Sequence, residues 1–439
     1  MNSPTTQVAF DELLTADTLS ALMRSTWTWD DRALRRDLAI LLVELGAVRA
    51  APPDRNAARI DTLRARAHSS AARFVATVLG PKLVADTGNP LRSGFLADAV
   101  DPARFDRTAA SSFADVRATA SEYVTEHTRE VDYPAETEWL GLVATDGADG
   151  LGRAMRGYGH SLSDSPFFGN IGLAWQTLRA VIGESTVAGE YAEALVSGRL
   201  SATLAAAEQT GSWDPAMVKT RAAETAEGWQ LTGVKQFVPA TEDADVYLVI
   251  ARSTAGPSLF ATEGSAPGLT VTPLDVIDPT RPLAQIELSG TPATLLGTEG
   301  AGGRLMLRAI DLATTALAAE QVGLIERAMT LLSQQSADLP DAPASEFRVA
   351  GVTLDHMAAA ALWRRALAED AAGSAHASAA AAAAHVGCSA AALRAATAAA
   401  ELLGPSDETD AILRRALSGS LLFGGPALSH ERLLERLGI

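Results

Sequence analysis

The hydrophobic period of this chain changes twice, and that double change limits the folds open to it. From residue 8 to 85 leucines recur at helical spacing: Leu13, Leu14, Leu19 and Leu22, then Leu34, Leu38, Leu41, Leu42 and Leu45. Pro52 and Pro53 separate this part from a helix expected around 58–78. Residues 86–107 carry Gly88, Pro90, Gly94, Pro102 and several Asp, and read as a linker. Helices follow at 111–130, near 136–157, and at 171–198 after the Pro166–Gly169 turn. Between about 200 and 295 the pattern becomes β-like, with runs at 201–207, 229–238, 244–252, 269–276 and 283–289. Gly211, Gly228, Gly233, Gly256-Pro257, Pro267-Gly268 and Pro279 punctuate them. Short strands at this spacing predict an antiparallel barrel or sandwich. From about 301 the helical period returns, with helices predicted near 303–335, 346–372, 376–402 and 407–421, the first interrupted at Gly323. Four long helices in a row predict an up-down bundle. The expected fold is therefore mainly α with a central β-barrel: a helical N-terminal segment (1–107), a helical domain (108–199), a small antiparallel barrel (200–297) and a four-helix bundle (298–439).

A chain of 439 residues, 47% of them hydrophobic and with mean hydropathy +0.09, has enough apolar surface for two to four cores. Its net charge of −17 argues against a nucleic-acid or anionic-membrane partner, since both call for a basic surface. Cys388 is the only cysteine, so no intrachain disulfide and no cysteine-based metal cluster can form. The N-terminus shows no basic region followed by an apolar stretch, and 376–400 is an alanine-rich helix broken by His385, Ser389 and Arg394 rather than a membrane span. The expectation is a soluble, acidic, cytoplasmic protein. His160 and His430 have no metal-like partners at useful spacing, and no metal site is expected.

Residues 228–237, G-W-Q-L-T-G-V-K-Q-F, are the most informative short stretch. In an extended chain Trp229 and Leu231 face one way and Gln230 and Thr232 the other. The longer string GWQLTGVKQFVPATEDADVYLVIAR (228–252), with TLAAAEQTGSWDP (203–215) before it, resembles the acyl-CoA dehydrogenase superfamily. The resemblance runs from Phe113 to Ile439, about three quarters of the chain; residues 1–107 match nothing in the family. Leu317–Gly323 and the C-terminal LLFGGPALSHERLLERLGI are similar to the first bundle helix and to the C-terminus of actinobacterial members that often work as hetero-oligomers.

That resemblance implies FAD held against a barrel rim at Phe237, Val238 and Pro239, with further cofactor contacts at Ala205 and Ala207 and a CoA contact at Ser212. Ser212 reads equally as a turn hydroxyl. It also implies α,β-dehydrogenation of an acyl thioester, in which a carboxylate takes the α-proton while the flavin takes the β-hydride. The sequence departs from the family here. Gly424 stands at one usual position of the base and Ala313 at the other. Glu320, Asp311 and Glu408 are the substitute candidates, each also readable as a solvated or cap-paired acid. Pro239 has neither hydroxyl nor N–H to offer a flavin edge. Where the family carries Arg-x-x-Phe-Gly to clamp the FAD diphosphate, residues 337–347 are acidic and include Asp338, Asp341 and Glu346. Leu402–Pro405 replace the adenosine-holding turn. Three readings stay open: an acyl-CoA dehydrogenase with FAD; a catalytically incomplete subunit in an oligomer with a homologue; or a repurposed flavoenzyme acting on a carrier-bound acyl group.

Overall fold

The computed structural model describes residues 13–52, 57–80, 90–91, 102–239, 244–335 and 343–439. Most of the linker read over 86–107 lies outside them, but residues 102–107 already belong to a helix. The helices ahead of the barrel are α1 (Ala16–Ser25), α2 (Arg32–Ala50), α3 (Ala57–Leu79), α4 (Pro102–Glu130) and α5 (Trp139–Ser161). A π-helical α6 (Phe168–Trp175) and α7 (Thr186–Val196) follow. The single helix expected over 171–198 is thus two pieces. Ser185 caps the second by accepting a hydrogen bond from the Ala188 N–H at 3.3 Å.

The barrel has seven strands: β1 (Ala202–Ala205), β2 (Arg221–Thr225), β3 (Gly228–Pro239), β4 (Val246–Ser253), β5 (Gly256–Glu263), β6 (Leu269–Pro273) and β7 (Leu283–Leu296). β4, β2, β3, β7 and β5 close a ring, with β1 added on β4 and β6 on β7. Most pairings are antiparallel, as expected, but β1 and β2 run parallel to β4. β2 and β5 were not legible as strands. β2 reads Arg-Ala-Ala-Glu-Thr, without alternation, and is held by its hairpin with β3; β5 begins at the Gly256-Pro257 pair that reads as a turn. The Trp229 alternation does fix the register: Leu231 is buried in the barrel core and Trp229 packs on Phe260 at 5.2 Å.

The C-terminal helices are α8 (Gly302–Gln334), α9 (Pro343–Ala371), α10 (Ala377–Leu403), α11 (Asp407–Leu421) and α12 (Gly425–Arg436). The first four match the expected positions; α12 was not foreseen. Gly323 does not interrupt α8. A Cβ there would come within 2.0 Å of the Arg156 carbonyl oxygen, and one on Gly159 within 2.0 Å of the Glu320 carbonyl oxygen. The two glycines let α5 and α8 cross at backbone contact, which offsets the helix propensity glycine loses. The N-terminal helices are not a free arm: α2 packs on α9, α10 and α12, and α3 on α4.

Candidate functional site

The family resemblance implies chemistry where β3 ends against α6. β3 slips register against β7 between Lys235 and Val238, and Phe237 takes φ +56° in that slip. Its half-exposed ring turns outward over Gly211, where a Cβ would lie 3.7 Å away. Val238 and Pro239 are buried. The Pro239 carbonyl accepts a 2.5 Å hydrogen bond from Thr203 Oγ1, and Gly169 of α6 sits so close that a Cβ would reach 2.7 Å from the same oxygen.

The loop after β1 is likewise occupied by its own chain. Ala205 and Ala207 are buried. The Ala206 carbonyl accepts from Lys235 Nζ at 3.1 Å, and the Ala207 carbonyl from the Gln236 N–H at 3.0 Å. Lys235 is fully buried and pairs with Glu208 Oε1 at 2.9 Å. Burial lowers its pKa to about 8 against the pull of Glu208. Burial would raise the Glu208 carboxyl, but Lys235 and the Thr220 donors hold it below the ordinary carboxylate range. Ser212 serves its own turn: its Oγ accepts from the Asp214 N–H at 3.1 Å. Trp213 is buried with its ring edge-on to Phe423 at 4.9 Å. Phe423, one residue before the Gly424 that replaces the family's glutamate, also meets Phe168 at 6.5 Å.

None of the three candidate bases lines the rim cavity. Glu320 is buried between Arg281 and Arg415, whose Nε lies 2.8 Å from Glu320 Oε1. Arg415 also bonds the Thr280 hydroxyl at 2.6 Å and the Ser163 carbonyl at 3.0 Å, and lies over the Tyr158 ring. Burial would lower its pKa, but Glu320 raises it above the ordinary arginine value. Glu320 is thus the anchor of a buried cation pair. Asp311 accepts from Ser378 Oγ at 2.6 Å and faces Arg436 at 3.7 Å; burial raises its pKa, opposed by Ser378 and Arg436. Glu408 pairs with Arg327 in the first turn of α11.

Beside the rim, Tyr158, Phe168, Gly169, Thr203, Pro239 and Arg281 enclose a space of about 30 Å³ with no carboxylate in its lining. That is room for one or two waters, against roughly 300–1,000 Å³ for an organic ligand. Arg281, on its wall, has Nε and Nη1 buried without hydrogen-bond partners among the described residues, a pattern that water satisfies. The diphosphate contacts fare no better. Asp338 and Asp341 lie outside the described residues; Glu346 pairs with Arg117 at 3.2 Å, and the turn after α10 offers no cation at Leu402, Leu403 or Gly404. The residues present do not fit a flavin held by this chain alone.

Sequence reasoning missed one buried cluster. His127 of α4 and His356 of α9 both contact Glu326 Oε1 of α8, at 3.0 and 2.9 Å. Tyr133 reaches Oε2 at 3.0 Å, and Arg156 bonds both oxygens. Burial would raise the Glu326 carboxyl, but its histidine and arginine donors hold it well below the usual range; burial lowers His356 to about 4. The guanidinium stands 3.4 Å from His127 Nε2, where a metal ion would have to sit, so this is a charge network rather than a metal centre. His127, Glu326 and His356 are far apart in sequence, and no local spacing announces them.

A model of the acyl-CoA dehydrogenase middle domain matches residues 203–290. Acyl-CoA dehydrogenase FadE27 of Mycobacterium tuberculosis is 26% identical over 215 residues, covering 47% of this chain and 56% of the relative, so the match spans about half the length of that protein. Among solved structures, butyryl-CoA dehydrogenase from Megasphaera elsdenii superposes with TM-score 0.62 at 19% identity, over 75% of this chain and 98% of its own. The prolyl acyl carrier protein oxidase AnaB does so with TM-score 0.61 at 18% identity, over 75% of this chain and 99% of its own. Residues 203–290 thus match an acyl-CoA dehydrogenase middle domain, and the chain around them has the fold of the acyl-CoA dehydrogenases it superposes on.

Proposed function

We propose that this chain is a catalytically incomplete, acyl-CoA dehydrogenase-like subunit that acts in a cytoplasmic hetero-oligomer. A homologue supplies the base, the FAD and the diphosphate clamp, and binds the acyl thioester. The observation that carries this reading is the packing beside Pro239: Phe168 and Arg281 help wall a space of only about 30 Å³, Phe423 meets Phe168 and Trp213, and Glu320 is held between Arg281 and Arg415. Each sequence departure points the same way. Gly424 and Ala313 stand at the two base positions, and Glu320, Asp311 and Glu408 are each held in ion pairs or hydrogen bonds away from the rim. The net charge of −17 fits a protein partner better than nucleic acid or an anionic membrane.

The test is co-expression with an acyl-CoA dehydrogenase homologue from the same genome that keeps the C-terminal glutamate. The expected result is a stoichiometric complex whose flavin and thioester oxidation disappear when the homologue's glutamate is changed. Failure of the two chains to co-purify, together with thioester oxidation by this chain alone, would overturn the proposal.

A further inference from the structure

A second cavity, of about 280 Å³, lies on the far side of the bundle between α2, α9, α10 and α12. Its walls are mainly apolar, with Val43, Leu362 and Val386 among them. Gly387 leaves no room for a side chain: a Cβ there would come within 2.3 Å of Leu362 and 2.9 Å of Val43. The charged groups at its edge are already paired, Arg66 with Glu44 at 3.6 Å and Arg394 with Asp355 at 2.7 Å. No uncompensated charge therefore invites an ionic ligand.

Two histidines break the apolar lining. His385 is 1% exposed; its ring lies near the Leu422 backbone, but Nε2 has no hydrogen-bond partner of good geometry among the described residues. Nδ1 of His430, on α12, is also buried without one among the described residues. A buried polar atom left unpaired costs about 1–3 kcal/mol, so two such atoms lining one cavity are a feature that a ligand would satisfy. The proton on His385 is placed by its neighbours. Ser389 Oγ accepts from Gln321 Nε2 at 2.7 Å and lies 3.5 Å from His385 Nδ1. Ser389, having accepted from Gln321, keeps its own proton to give to Nδ1, an arrangement that leaves the ring N–H on Nε2. Burial and the charge of Arg432 lower the His385 pKa to about 4, so the ring is neutral at physiological pH.

We propose that this cavity is a binding site for a neutral, mainly apolar small molecule of about two fused rings' bulk that carries one hydroxyl group. The size follows from the observation that an apolar cavity of roughly 150 Å³ holds one benzene. The hydroxyl follows from the imidazoles: its oxygen accepts from the His385 Nε2–H, and a hydroxyl proton suits an unpaired imidazole nitrogen such as His430 Nδ1. The proposal does not rest on the subunit role proposed above: its cavity shares no lining residue with the space beside Pro239, and only the His385 ring, edge-on to Phe423 at 6.1 Å, approaches that packing.

Equilibrium dialysis of the full chain against 2-naphthol and naphthalene tests it. The expected result is one saturable 2-naphthol site per chain, with naphthalene bound about fivefold more weakly for want of one hydrogen bond. His385→Leu should weaken 2-naphthol about fivefold and leave naphthalene unchanged, while Ala358→Phe, on the cavity wall, should abolish both. Circular dichroism checks that each variant folds; if His385→Leu does not, His430→Leu carries the same expectation. No saturable binding to the wild-type chain, equal affinity for the two probes, or binding untouched by a folded Ala358→Phe would each overturn the proposal.

Discussion

Trp213 and Phe423 meet edge to face at 4.9 Å, tying the loop after the first barrel strand to the turn between the last two helices. Phe423 is buried yet holds φ +59°. Its packing and its backbone therefore pull in opposite directions. Phe423→Ala should cost about 3–5 kcal/mol in urea unfolding. Phe423→Gly should be about 1 kcal/mol more stable than the alanine variant, because glycine adopts the left-handed region without strain. Equal stability of the two would show that the backbone is not strained there.

The Lys235–Glu208 pair predicts an alkaline signature. The folded lysine is lowered to about 8 while the unfolded one titrates near the ordinary 10.5. Between those values the unfolded chain binds the extra proton, so stability rises with pH. Wild type should gain on Lys235→Met, on the order of 3 kcal/mol, between pH 8 and 10.5. At pH 7, Glu208→Gln should cost about 3–5 kcal/mol, since it leaves a buried ammonium without its counter-charge.

The helix crossing at Gly159 and Gly323 has no slack. A Cβ on either would lie 2.0 Å from a carbonyl oxygen of the opposing helix. Gly159→Ala should lower stability by about 3 kcal/mol or more despite alanine's better helix propensity, which alone would add about 1 kcal/mol. Thermal unfolding reads the sign directly.

His160, His356 and His385 are each lowered to about 4, chiefly by burial. Their unfolded counterparts take up protons near pH 6.5, so stability is lost as the pH falls from 6.5 towards 4, below which these groups add no further loss. For the fully buried His385, replacement by Leu should make the stability curve shallower by about 1.4 kcal/mol per pH unit between pH 6 and 4.5. Denaturant titrations at four pH values would measure the slope.

The sequence made the helix–barrel–helix order legible because periodicity is local. Leu231 and Trp229 alternate within one strand, and the helix Asp407–Leu421 follows the helical period expected over 407–421. β2 was invisible because its pairing with β3 and β4, not its composition, makes it a strand. Gly323 was misread because the reason for a glycine there lies on α5, at Arg156. The site was only half legible. Missing family residues can be read one position at a time. That Glu320 is paired with Arg281 and Arg415, or that Trp213 meets Phe423 from a distant part of the chain, depends on tertiary contacts that no local pattern encodes.

The reading drawn from the packing beside Pro239 is tested most directly by flavin stoichiometry. The purified chain is incubated with excess FAD and passed through gel filtration, and flavin absorbance is read against protein. The account predicts a colourless protein with no flavin retained, and a flavin-bearing complex only when a homologous subunit is present. A yellow chain carrying one FAD per protomer on its own would contradict it.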